Sequence, residues 1–157
     1  MPRLLKNRAF VPDRWTHIAG DNAQLDADGP LLLPLARWQE QRAGLLALPP
    51  ERLGIWLSGE EEPDAIGTDI ARFGCIAIHF PSFMDGRGFS CGRLLRERHG
   101  YRGELRAMGD IIPDQLHYLW RCGFDAFELP DSVSLETALR CLDAFSTAYQ
   151  ADARTAA

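Results

Sequence analysis

Nowhere in the chain do about 18 apolar residues follow one another, so a membrane-spanning helix is not expected. The opening MPRLLKNRAFVPDRW lacks both a continuous apolar segment and a small-residue cleavage site. A secretory signal is therefore not expected, and the reading is cytoplasmic. Cysteine is scarce and contains no CxxC pair: Cys75, Cys91, Cys122 and Cys141 stand far apart. In a reducing compartment such residues read as free, mostly buried thiols. The same dispersal argues against a zinc or iron–sulfur centre. Asp114 and His117 have helical spacing but no third ligand near them, so no metal is expected. GxSxG is absent, and no GK[ST] follows the glycines at 86 and 88. The dinucleotide fingerprint fails too, because Cys91 stands where its third glycine belongs. Positive charge is in deficit, with 17 Lys and Arg against 22 Asp and Glu, a net charge of −5. That balance argues against general nucleic-acid binding.

What remains is an ordinary globular composition, 46% hydrophobic and 25% charged over 157 residues, enough for one domain with a real core. We read residues 1–150 as that domain and 151–157 as a disordered tail. Ala9–Val11 and Trp15–Ile18 are read as strands of an N-terminal hairpin turning at Pro12-Asp13, and residues 20–30 as a loop. Pro34 opens a helix that runs to Leu48 and stops at Pro49-Pro50. Four strand–helix units follow. Their strands are Leu53–Leu57, Cys75–Phe80, Glu104–Met108 and Phe124–Leu129. Their helices start at Pro63, Ser90, Pro113 and Ser132 or Ser134, the last running to about Gln150. Strands alternating with helices imply a parallel α/β sheet with right-handed crossovers. It is half of a (β/α)8 barrel or an open doubly wound sheet, and a half-barrel's edges suggest a homodimer or an obligate partner.

The stretch FPSFMDGRGFSCGRLLRERHGYRGELRAMGD at 80–110, DQL at 114–116 and RCGFDAFEL at 121–129 resemble DUF934, a bacterial family of unknown function. ARWQEQR and LGIWLS upstream extend the resemblance over nearly the whole chain. Gly92 stands where the family usually has alanine, which touches helix propensity more than chemistry. Members of that family are often labelled probable oxidoreductases and tend to be encoded beside assimilatory sulfite reductase genes. The resemblance thus implies a link to sulfite reduction, with sulfite reductase as a partner, but brings no catalytic residues with it. The cofactor stays unknown.

Several residues could carry chemistry. Asp85, Gly86, Arg87, Gly88 and Ser90 lie between a strand and a helix start. There backbone N–H groups and a guanidinium could receive a phosphate, sulfite or carboxylate. The bland alternative is a structural turn in which Asp85 bonds its own backbone. Arg93, Arg96 and Arg98 form either a basic partner surface or a solvated, salt-bridged face. His79, Arg106, Asp110 and Glu128 lie at or near strand ends, where α/β sites are built. Asp110 would equally cap the next helix, and alternation places Arg106 and Glu128 on a common sheet face with His79 nearby. Two functions follow. One is an accessory or electron-transfer partner of sulfite reduction with an anion-binding glycine turn. The other is an oxidoreductase binding a nucleotide or flavin.

Overall fold

The computed structural model describes residues 3–19 and 28–144. Most of the expected 20–30 loop, the last helix beyond 144 and the tail at 151–157 lie outside the described residues. The strands are β1 (Arg3–Lys6), β2 (Ala9–Val11), β3 (Thr16–His17), β4 (Leu31–Pro34), β5 (Leu53–Leu57), β6 (Cys75–Phe80), β7 (Glu104–Gly109) and β8 (Ala126–Leu129). The helices are α1 (Leu35–Leu45), α2 (Arg87–Glu97), α3 (Leu116–Arg121) and α4 (Leu135–Leu142). All eight strands form one sheet in the order β2-β1-β8-β7-β6-β5-β4-β3. From β3 to β8 every neighbour is parallel, and β1 alone runs against β8 and β2.

The fourth expected strand begins at Ala126 and not at Phe124, and α2 begins at Arg87 and not at Ser90. Three further elements differ in kind from expectation. The hairpin pairs β1 with β2, not 9–11 with 15–18, and turns at Asn7 and Arg8. Both turn residues have left-handed backbone (φ 52° and 65°), as a two-residue hairpin turn with the strands' own twist requires. Thr16–His17 instead pairs with β4 at the opposite edge of the sheet. Leu31–Pro34 is a strand, so Pro34 ends β4 and caps α1, and a fifth strand–helix unit precedes the four expected. The segment after Pro63 is two 3₁₀ pieces, Pro63–Ala65 and Gly67–Arg72, not an α-helix. Gly67, which opens the second piece, takes a positive φ of 68°, which interrupts α geometry.

The position of β3 fixes the shape. Seven strand spacings separate β2 from β3, about 33 Å if the sheet were flat. The chain from Val11 to Thr16 spans only five peptide units, about 18 Å at full extension. The sheet must therefore curl, and the result is a half-barrel with the helices outside. Side-chain alternation sorts the core accordingly. Leu33, Ile55, Ile76, Ile78, Leu105 and Phe127 belong to the large outer cluster with Trp38, Leu95, Leu116 and Leu119 from the helices. Trp15, Leu32, Cys75, Ala77 and Met108 pack together on the inner face, with Trp56 against them. All four cysteines are free thiols, and three of them are buried.

Helix α2 sits close on the sheet because two of its residues have no Cβ. A Cβ at Gly88 would lie 2.4 Å from the Phe80 ring, and one at Gly92 would lie 2.3 Å from Phe124. Gly92 thus makes room for an aromatic ring. No described helix is long and apolar enough to cross a membrane.

Candidate functional site

Inside the curl lies a cluster of ionisable groups around Arg106, whose side chain is fully buried. Alternation on β7 turns Glu104 and Arg106 inward together. Arg106 donates from Nε (3.0 Å) and Nη2 (2.8 Å) to Glu104 Oε2, and from Nη1 (2.9 Å) to Asp13 Oδ2. Lys6 Nζ on β1 reaches the other oxygen of Glu104 at 2.6 Å. Glu128 Oε1 lies 3.9 Å from Arg106 Nη1 and 3.6 Å from His17 Nε2, and His17 Nε2 lies 2.9 Å from Asp13 Oδ2. His17 and Glu128 stand five strands apart in the sheet, so only the curl brings them together. Asp13 is held in place by accepting the Trp15 backbone N–H at 3.0 Å, while Trp15 itself is buried against the inner face.

The charges nearly balance. Lys6 and Arg106 face Asp13, Glu104 and Glu128, which leaves one negative charge for a proton on His17 or Glu128 to cancel. The titrations follow. The hydrogen bond to Asp13 raises His17 above the usual imidazole value, against its partial burial. Burial raises Glu128, and the charges of His17 and Arg106 offset this only in part. Burial also works against ionised Asp13, but the bonds from His17 and Arg106 outweigh it and hold that carboxyl low. Burial, then Glu104 at 3.2 Å, raises the Cys75 thiol well above its ordinary value, which favours the protonated thiol.

Asp13, His17 and Glu128 each turn one ligand atom to a common point. Arg106 Nη1, however, lies 2.9, 3.5 and 3.9 Å from those three atoms. A guanidinium already holds the place of a cation there, and the set as it stands does not fit a metal.

The other expected residues distribute differently. His79 does not join Arg106: the register sets Ala77 beside Arg106 and His79 beside Met108, and the His79 ring lies 6.2 Å from Trp56. The same pairing logic puts Ala126 beside Arg106 and leaves Glu128 diagonal to it, which is why that pair is long. Asp110 does not cap the following turn. Its carboxylate accepts the Phe83 N–H at 3.1 Å, and Gln115 caps the turn by accepting the Ile112 N–H.

The glycine segment is the start of α2 itself. The helix begins at Arg87 with Gly86 at its cap, so Ser90 lies inside the helix and caps nothing. Gly88 is accounted for by its contact with Phe80. Asp85 accepts the Arg87 backbone N–H and grips its guanidinium at 2.6 Å, which lowers the Asp85 carboxyl to about 2. Next to it a cleft carries Glu60, Glu61, Glu62 and Asp64 against Arg87 and Arg98, a balance that disfavours an anion.

Of the three expected surface arginines, Arg96 is not on the surface. It donates to the carbonyls of Gly123 (2.9 Å), Tyr101 (2.8 Å) and Gly103 (2.8 Å), stapling α2 to two loops. Arg93 pairs with Glu97 at 3.0 Å and Arg98 lies 3.8 Å from Asp64.

Asp13, His17 and Lys6 had no local signal: Asp13 and His17 reach the cluster through the curl, and Lys6 through the pairing of β1 with β8, which sets Lys6 beside Ala126. The Asp13/His17 spacing of four was there, but in a segment without helix. Fold and site together define an α/β half-barrel of successive strand–helix units whose interior is closed by ion pairs. The chain belongs to the family described as "Bacterial protein of unknown function (DUF934)", which it matches over residues 54–157. Glu104, Arg106 and Glu128 fall inside that span, and Lys6, Asp13 and His17 before it. A comparison with curated proteins finds no match.

Proposed function

We propose that this protein is an accessory partner of assimilatory sulfite reduction, acting by docking rather than by chemistry of its own. The observation that carries the reading is the loop after β6. Met84 is 81% exposed and Phe83 44% exposed. The loop that presents them is pinned: Asp110 takes the Phe83 N–H, Gln115 Nε2 donates to the Phe83 carbonyl at 2.7 Å, and the Ser82 hydroxyl takes the Met84 N–H. Apolar side chains presented in water from a hydrogen-bonded backbone suit an interface, because less backbone ordering entropy remains to be lost on binding. Asp110, at a strand end where catalytic carboxylates are often found, is used to hold that loop. The inner face is filled by Trp15, Cys75, Ala77 and the Arg106 cluster, whose groups satisfy one another.

The test is co-purification with sulfite reductase from native extract, with sulfite-dependent turnover measured with and without this chain. Association together with raised turnover is expected; independent migration and unchanged turnover would refute the reading. The half-exposed Asp13–His17 pair favours a second reading, an oxidoreductase that moves a proton there with a nucleotide or flavin bound. A flavin band in the absorbance spectrum of the purified protein is its signature.

A further inference from the structure

We infer that the surface which docks is the rim formed by the loops after β5 and β6, and that its partner is a different protein presenting an apolar recess ringed by Lys and Arg. This deepens the accessory reading and rests on it. Parallel strands put the carboxyl ends of β5, β6 and β7 side by side, so their following loops share one end of the half-barrel. Phe83 and Met84 form its apolar tip. On the β5 side stand Glu60, Glu61, Glu62 and Asp64, all solvent-accessible, with Glu60 80% exposed. Asp85 and Asp110 flank the tip itself. Arg87 joins the two loops, 2.6 Å from Asp85 and 3.9 Å from Glu60, and Arg98 lies 3.8 Å from Asp64. Six carboxylates against two guanidiniums leave an excess of four negative charges, in a chain whose net charge is −5. The rim is thus a local concentration of negative charge on an acidic chain.

That charge selects the occupant. A second copy of this chain, meeting rim to rim, would set two acidic collars against each other, which costs affinity. An anionic membrane surface or a nucleic acid is repelled for the same reason. A basic collar around an apolar recess matches both features at once: the recess takes Met84 and Phe83, and the collar steers approach and sets orientation. Glu61 is partly committed, its Oε1 accepting the Ser58 N–H at 2.8 Å, so Glu60 and Glu62 are the groups freest to meet the partner.

The test measures the affinity of the intact chain for purified sulfite reductase at low and moderate salt. It compares the chain with Glu60→Lys/Glu62→Lys, with Met84→Asp, and with Glu51→Lys. Glu51 is exposed at the opposite end of β5 and serves as the control. Unchanged thermal midpoints establish that each variant folds. The expected result is a loss of about tenfold or more for the double charge reversal and for Met84→Asp, with Glu51→Lys close to the parent. Salt weakens the parent and has little effect on the charge-reversed variant. If the parent binds and both rim variants bind equally well, the rim assignment is wrong while the accessory reading stands. An equal loss in Glu51→Lys overturns the rim as well, since charge alone then explains binding. If the parent does not bind the reductase at all, the accessory reading falls and the rim proposal with it.

Discussion

Replacing Arg106 by Met is the sharpest perturbation of this fold. The substitution keeps a long, flexible chain of similar reach and removes the charge and three hydrogen bonds, two to Glu104 and one to Asp13. Breaking a buried ion pair from one side costs about 3–5 kcal/mol, because the remaining charge stays desolvated. Here the lower end applies. Glu104 keeps Lys6 at 2.6 Å, and Asp13 keeps His17 and the Trp15 N–H and has a partly exposed side chain. A loss of about 3 kcal/mol corresponds to about 6–12 °C in the thermal midpoint of a chain this size. Urea unfolding monitored by tryptophan fluorescence reads the same quantity, and the four tryptophans include Trp15 and Trp56 on the inner face. The companion variant, Arg106→Met with Glu104→Gln, also removes the charge of the carboxylate that took two of those three bonds. It should be less destabilised than the sum of the two single changes by about 0.5–3 kcal/mol, the range for residues in one network. Arg106→Met within about 0.5 kcal/mol of the parent, or strict additivity in the double variant, would refute the view that these ion pairs hold the interior. The pair Arg106 and Glu128 alone is a weaker test, because at 3.9 Å Glu128 is the outermost of the three carboxylates.

Two further outcomes follow from the same geometry. His17 binds its proton more tightly in the folded chain. Its stabilisation is therefore complete below its unfolded value of about 6.5 and is lost as pH rises through the higher folded value. Chemical unfolding from pH 6 upward should show this decline, and His17→Gln should flatten it; Glu128, also raised, acts with the same sign from a lower starting pH. Gly88→Ala forces a methyl group to within 2.4 Å of the Phe80 ring and should destabilise by about 1–3 kcal/mol. Gly86→Ala meets nothing within 4 Å and should stay within about 0.5 kcal/mol, so equal effects at the two positions would contradict the packing account.

Wherever a segment's own pattern decided its state, the sequence was enough. Cys75–Phe80 is nearly all apolar and forms the central strand with those bounds, and Glu104–Met108 extends by one residue as β7. Prolines and glycines marked most of the boundaries, and four strand–helix units in succession required a parallel sheet. The family blocks DGRGFS, LLRER and RCGFDAFEL were legible for the same reason, being local. Arg106 and Glu128 could be placed on one face by alternation alone. What alternation could not supply was register. It is register that sets Ala77 beside Arg106 in place of His79 and leaves Glu128 diagonal to Arg106. Strand β4 escaped notice because Leu31–Leu33 is too short to show a period, and it became a strand by lying between β3 and β5. The hairpin turned at Asn7-Arg8, where the usual glycine is missing, instead of at Pro12-Asp13. The segment freed by that shift crosses the molecule to the far edge of the sheet. Tertiary structure alone decided that six residues from Val11 to Thr16 must link opposite edges. A chain that short can do so only if the sheet curls, and the curl is what brings Asp13 and His17 to Glu104, Arg106 and Glu128, where Lys6 already stands by the pairing of β1 with β8.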